Sequence, residues 1–391
     1  MLSRSTLLAM RSADRPDWDI FCTVIDNFGD IGVCWRLARQ LAAEHGLRVR
    51  LWVDDLRSFS PLCPQIDPQL ATQQVLDVEI RRWEKSFPDA VPGNVVVEAF
   101  ACQVPDNFVA AMAKCEPRPI WINLEYLSAE HWVAGCHALP SPHPRLPLTK
   151  YFFFPGFSQE TGGLLRENDL LTRRQAFENS PGLQAELWRE LGFHAPHTDA
   201  LRVSLFSYDN PAIGKILRLW ETAATPVCCL VPASRSLPAV EVFCGQTLTP
   251  GDAIRRGALE IRTLPFVEQR RYDPLLWACD LNFVRGEDSF VRAQWAARPM
   301  VWHIYPQQDD AHLTKLDAFL DIYCAALPAA TAGNVRSIWH GWNTGQITAG
   351  QWNEFSANLP ALREHADLWA GHLAAQEDLS SNLVRFCRSK L

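Results

Sequence analysis

Short apolar runs alternate with amphipathic segments along most of this chain, and the two spacings separate strand from helix. Residues 18–25 form a nearly unbroken apolar run of strand length. The turn-rich loop DNFGDIG follows, and in residues 33–41 Trp35, Leu37, Ala38 and Leu41 fall within one helix. Residues 47–53 predict a second strand, and 95–97 and 119–123 two more, with a helix over 107–115 between them. Strands that take turns with helices predict a parallel sheet covered on both faces.

The pattern breaks at residues 128–157, where closely spaced prolines and three consecutive phenylalanines predict an ordered loop beside the cleft. Alternation then resumes. Strands are predicted at 201–206, 226–231, 259–264, 281–284 and 299–304, with helices after Pro211, over 267–279 and over 287–297. A chain of 391 residues exceeds the roughly 250–300 at which single cores stop growing. The expectation is therefore two doubly wound α/β domains, residues 1–190 and 191–359, with helical residues 360–391 crossing back onto the first. No short repeat or heptad pattern is present.

Composition narrows the class. The apolar fraction of 48% and charged fraction of 21% are those of a folded globular chain. A net charge of −7 argues against a general nucleic-acid binder, which needs a basic face, and fits a cationic acceptor. The 12 cysteines include no CxxC pair, so reduced thiols in a cytoplasmic protein are expected, with neither a zinc site nor a disulfide framework. The first fifteen residues lack a signal h-region, and no apolar run approaches the ~20 residues of a membrane span.

Three constellations carry candidate chemistry. In DNFGDIGVCWR, Asp26, Asn27, Phe28, Gly29, Asp30 and Gly32 lie where a strand opens into a helix, at the carboxyl end of a sheet where such folds bind ligands. Asp26 and Asp30 stand at that mouth as acids for catalysis or for an acceptor, or else as a turn former and a helix N-cap. Carboxylates aimed at phosphate would repel it, and the loop lacks the GxGxxG of a dinucleotide reader.

In FVRGEDSFVRAQ, a helix beginning near Glu287 to Ser289 turns its first-turn N–H groups towards a guest, for which a diphosphate is expected. Arg285 adds charge-assisted hydrogen bonds and Ser289 a hydroxyl. Glu287 and Asp288 oppose an anion unless they face sugar hydroxyls, ribose or a cationic acceptor, and a plain capping role for Asp288 or Ser289 is the alternative. Tyr305 ends the following strand. In LPFVEQRRYDPLLW, Phe266 and Gln269 suit stacking on a base while an amide reads its edge, and Phe206, Ser207 and Tyr208 end another strand of the same domain. His303, within an apolar strand, reads as a core histidine. HExxH, Walker A and GxSxG motifs are absent.

The blocks WDIFCTVIDNFGDIGVCWRLARQL, GCHALPSPHPRL with KYFFFPGFS, LFSYDN and LPFVEQRRYDPLLWACDLNFVRGEDSFVRAQWAARPMVWHIYPQ together resemble the elongation factor P arginine rhamnosyltransferase family. The resemblance implies a GT-B glycosyltransferase of two Rossmann-like domains facing a central cleft. It implies inverting transfer of L-rhamnose from dTDP-β-L-rhamnose to one arginine of elongation factor P; no cofactor is expected, and no obligatory metal, since no DxD motif stands in a suitable loop. By motif it implies that Asp26, Asp30 and Glu287 serve catalysis; Asp30 is taken as the base, with Asp26 as the other candidate for that role. Phe266 would stack on thymine and Gln269 read its edge, while Tyr208, Arg285, Asp288, Ser289 and Tyr305 surround the diphosphate. A GT-B transferase or epimerase using a UDP-sugar and a small acceptor is the other enzymatic expectation. A non-catalytic docking platform is the third, and its mark would be a missing acid in DNFGD or RGEDS, both of which are intact.

Overall fold

The computed structural model describes residues 17–26, 28–84 and 86–390, the Gln308 side chain excepted. It divides into two compact units, Met1–Glu167 with Gln376–Leu391, and Asn168–Ala375.

The first unit is built in chain order from β1 (Trp18–Cys22), α1 (Gly29–His45), β2 (Val49–Val53), α2 (Leu56–Phe59), β3 (Thr72–Val75), β4 (Val78–Arg82) and β5 (Val95–Ala99). There follow α3 (Asp106–Met112), β6 (Ile120–Leu124), α4 (Trp132–Cys136), β7 (Pro140–Pro142) and β8 (Thr149–Phe153). The sheet order is β3-β4-β2-β1-β5-β6-β8-β7. From β4 to β8 all pairs are parallel, and the order by chain position is that of a Rossmann fold, with the reversal between β1 and β5. Both faces are covered, so β1, β2, β5 and β6 are buried at every residue.

Buried charges stand inside that apolar layer, Asp19, Arg50 and Glu98 among them. Asp19 in β1 accepts from Arg50 Nε at 2.6 Å, Trp52 Nε1 at 2.9 Å and the Gly93 N–H at 2.7 Å. Its lone pairs are met, which is what lets a carboxylate remain in the interior.

Residues 128–157 are not the irregular loop that their prolines predict. They hold α4, and β8 extends the parallel sheet beside β6. Pro140 and Pro142 fall on β7, which pairs antiparallel with β8 at the sheet edge, where a missing N–H faces no partner strand. The antiparallel β3 at the other edge was also absent from the hydrophobic pattern, because its positions are mostly exposed.

The second unit runs α5 (Leu170–Glu178), α6 (Pro181–Glu190), β9 (Leu201–Leu205), α7 (Ala212–Glu221), β10 (Val227–Pro232), α8 (Leu237–Cys244), β11 (Ala253–Arg256) and β12 (Leu259–Leu264). It continues with α9 (Gln269–Ala278), β13 (Leu281–Arg285), α10 (Asp288–Ala296), β14 (Met300–His303), α11 (Ala311–Tyr323), α12 (Ala329–Asn343), α13 (Ala349–Ala357) and α14 (Leu359–Ala374). Its sheet, β11-β12-β10-β9-β13-β14, is parallel apart from the edge strand β11, and reverses between β9 and β13. It too is a Rossmann-like unit, so the chain has the pair of doubly wound α/β units of the GT-B class. Trp220, Trp295, Trp339 and Trp342 fill its core, and Phe290 stacks on Trp302 with centroids 3.8 Å apart.

The boundaries differ from those read off the sequence. α5 and α6 belong to the second unit, because they pack on α9, Phe177 meets Trp277, and Glu178 pairs with Arg298 at 2.8 Å. α14 also stays there, its Trp369 Nε1 donating to Gln294 of α10. Only α15 (Leu379–Arg388) joins the first unit, packing on α1. Its N-cap Asp378 accepts from Gln40 of α1 at 3.0 Å, and Phe386 packs against Tyr151 and Phe153 of β8.

Candidate functional site

At the carboxyl end of β1 the backbone leaves the sheet because side chains take its N–H groups. The Val24 N–H donates to Asp54 Oδ1 at 2.9 Å, and those of Ile25 and Asp26 both donate to Asp30 Oδ2 at 2.8 Å. This ends β1 at Cys22, three residues before the apolar run does. Asp30 is not the N-cap of α1, a position held by Phe28, but a first-turn residue whose carboxylate reaches back to the preceding loop. It is only 2% exposed, and its Oδ1 accepts from the Tyr126 hydroxyl at 3.3 Å. The positive end of the helix dipole favours a carboxylate there.

Asp26 is less buried and lies over Gly29. The Gly29 N–H donates to the Asp26 carbonyl at 2.7 Å, and a Cβ on residue 29 would meet Asp26 Oδ2 at 2.9 Å. That close approach explains the glycine. The Gly32 N–H donates to the Phe28 carbonyl at 2.9 Å and continues the turn into the helix. Asn27 lies outside the described residues. Ile25, next to the acids, is 63% exposed. Burial raises the Asp54 carboxyl against the lowering effect of the Val24 N–H. Beneath the loop a hydrogen bond with Cys34, and then burial, raises the Cys22 thiol well above its ordinary value, so thiolate chemistry has no foothold here.

Two aromatic residues that sequence reasoning passed over complete this end of the sheet. Phe100 follows β5 and Tyr126 follows β6, and their rings stack at 4.5 Å and 19°. Phe100 and Ala101 take φ of 56° and 54°, a left-handed backbone that costs about 1 kcal/mol or more for a side-chain-bearing residue. The signal that could have found them was their place: each stands just past a strand, at or beside the crossover of the sheet.

In the second unit the corresponding ends are those of β9 and β13. Arg285 closes β13, and its guanidinium lies between two rings that follow β9, 4.8 Å from Phe206 and 4.6 Å from Tyr208. Tyr305 meets Tyr208 edge-on at 5.6 Å, and Tyr272 meets Phe206 at 5.8 Å. Gly286 then turns the chain with φ of 59°, which a residue with a Cβ resists. The Glu287 side chain makes no cap bond to α10, and Asp288 is the acid in its first turn. The Ser289 hydroxyl accepts from the Arg285 N–H at 3.0 Å and donates to the Arg285 carbonyl, so it braces the turn.

Helix α10 is held in place from α9. Arg292 Nε donates to Asp273 Oδ1 at 2.7 Å and Arg292 NH2 to Oδ2 at 2.6 Å, a buried two-pronged pair. Gln269, at the first position of α9, donates to Asp288 Oδ2 at 3.1 Å. Half-buried Phe266 follows β12. Asp26, Phe28, Gly29, Asp30 and Gly32 thus share one loop and helix start. Phe206, Tyr208, Gln269, Arg285, Glu287, Asp288, Ser289 and Tyr305 share the ends of β9, β13 and β14 and the helix starts beside them. Among the described residues no group of three or more His, Cys, Asp or Glu is gathered to hold a metal ion.

Similarity to known proteins extends over almost the whole chain. The model of the family described as Elongation-Factor P (EF-P) rhamnosyltransferase EarP matches residues 18–388. A protein-arginine rhamnosyltransferase of Pseudomonas aeruginosa is 50% identical over 370 residues, covering 94% of this chain and 98% of its own. One from Neisseria meningitidis is 35% identical, covering 94% of this chain and 96% of its own. A solved structure presented as the structural basis for EarP-mediated arginine glycosylation of translation elongation factor EF-P is 37% identical. It superposes with a TM-score of 0.70 and covers 96% of this chain and all of its own.

Proposed function

The chain belongs to the EarP family of EF-P rhamnosyltransferases, and on that premise we propose that it moves L-rhamnose from dTDP-β-L-rhamnose to one arginine of elongation factor P, inverting the anomeric carbon. The observation that carries the reading is the contrast between the two crossovers. One presents carboxylates suited to a cation, and the other a ring-flanked guanidinium at an uncapped helix start suited to an anion.

An arginine side chain is a poor nucleophile because it is protonated and its lone pairs are delocalised. Asp26 and Glu287 hold and orient the guanidinium, and Asp30 takes a proton as the nitrogen attacks C1. Asp30 Oδ2 already serves two backbone N–H groups, which leaves Oδ1, beside Tyr126, as the oxygen for that proton. The new N–C1 bond forms as the C1–O bond to the diphosphate breaks, so a single displacement inverts the centre. Arg285 and the first-turn N–H groups of α10 receive the charge of the departing dTDP without an obligatory metal. Tyr208, Tyr305 and Asp288 line the diphosphate. Ser289 acts through the turn it braces. Phe266 stacks on thymine and Gln269 reads its edge.

None of the described helices is long and apolar enough to cross a membrane, in keeping with work in the cytoplasm on a translation factor. The test is direct. Incubation with dTDP-rhamnose and elongation factor P should add one deoxyhexose to a single arginine, read by intact mass and peptide mapping. Unmodified factor under saturating donor sinks the proposal. Thermal stabilisation by UDP but not dTDP would favour the UDP-sugar reading instead.

A further inference from the structure

His303 reads in sequence as a core histidine, yet it is a core histidine with an unmet need. It is the last residue of β14, at the same end of the sheet as Arg285. The two residues are register partners on neighbouring parallel strands, so their side chains leave the same face of the sheet. The His303 ring meets Tyr208 edge-on at 5.3 Å and 77°, and Trp342 at 6.1 Å and 73°. Tyr208 in turn flanks Arg285 at 4.6 Å.

His303 is 4% exposed, and its Nδ1 is buried with no hydrogen-bond partner. Other polar atoms in and beside the same strand are met. Trp302 Nε1 donates to the Gly286 carbonyl at 2.8 Å, and Asn343 serves both the Trp302 carbonyl and the Ile304 N–H. Native interiors rarely leave such an atom unpaired unless a ligand or a function uses it.

From these relations we propose that His303 is a donor-site residue, whose neutral ring gives its Nδ1–H to a phosphate oxygen of the bound nucleotide diphosphate while it fixes Tyr208 against Arg285. The inference rests on the donor reading above. The electrostatics favour a neutral ring: burial, then Arg285, then His312 of α11 push the imidazole down to about 3. A neutral imidazole still has one N–H to donate, and it adds no second cation beside Arg285.

The test compares wild type with His303→Phe, which fills the ring's place without a nitrogen. In His303→Phe, dTDP should bind about tenfold more weakly by calorimetry, the loss of one hydrogen bond to a charged group. KM for dTDP-rhamnose should rise while KM for the acceptor protein stays. In wild type labelled with 15N-histidine, the His303 Nδ1 signal should move on addition of dTDP, and its absence from His303→Asn assigns it. If His303→Phe does not fold, that signal decides alone. Equal dTDP binding by wild type and His303→Phe, or weaker binding with an unmoved signal, overturns the phosphate contact. A wild type that binds no dTDP overturns the donor reading and this inference with it.

Discussion

The backbone N–H of Asp26 donates to Oδ2 of Asp30 at 2.8 Å, so the carboxylate of one candidate acid sets the place of the other. The same oxygen holds the Ile25 N–H, and the loop between strand and helix is thereby fixed from within the first turn of α1. Asp30→Asn keeps an oxygen for these two N–H groups but cannot take a proton. Transfer should fall about a hundredfold or more while dTDP binding is unchanged, as measured by single-turnover mass spectrometry beside calorimetry. Transfer at near wild-type rate would place the base elsewhere.

Gly29→Ala separates activity from stability. Alanine is the better helix former by about 1 kcal/mol, so the melting temperature should hold or rise. Its Cβ would stand 2.9 Å from Asp26 Oδ2 and must push that carboxylate aside. A drop of about tenfold in kcat with no loss of Tm is expected, and an unchanged kcat would show that the position of Asp26 is not critical.

Asp273→Ala tests the mounting of α10. It strands Arg292, whose side chain is fully buried, without its two-pronged partner. Breaking a buried pair from one side costs about 3–5 kcal/mol, visible as a lower denaturant midpoint. Donor binding should weaken as well, because the same helix presents the RGEDS turn.

Acid stability should carry the mark of His303. Unfolded, the ring titrates near 6.5; folded, it titrates near 3. Between those values the unfolded chain binds a proton that the folded chain refuses. This contribution is therefore complete above pH ~6.5 and is lost as pH falls towards 3, at up to about 1.4 kcal/mol per pH unit. Burial lowers His137 and His365 in the same direction. A His303→Phe variant should lose less stability than wild type between pH 6.5 and 4.5 in urea titrations, and parallel curves would contradict the assignment.

Much of this was legible in the sequence, for physical reasons. Strands buried on both faces, such as β1 and β10, must be apolar throughout, and the loops after them announce themselves by glycine and acid. DNFGD and RGEDS could be placed at strand ends on that ground alone. Partners far apart in sequence could not. That Asp30 bonds backwards to Ile25 and Asp26, rather than capping its helix, depends on a backbone path no spacing encodes. Tyr126 lies 96 residues from Asp30 and carries no motif. The prolines of β7 hid a strand because an edge strand tolerates what a central one does not, and the edges of the units differ because what α5, α6 and α14 pack on is supplied only by the fold.

Helix α15 closes the first Rossmann unit from the far side of the sequence: Gln40 waits for Asp378, and β8 for Phe386. On the ribosome, residues 168–375 are made before those partners emerge. The acid-bearing unit must therefore spend most of its synthesis with one flank uncovered, and it becomes whole only after the unit that follows it has been made.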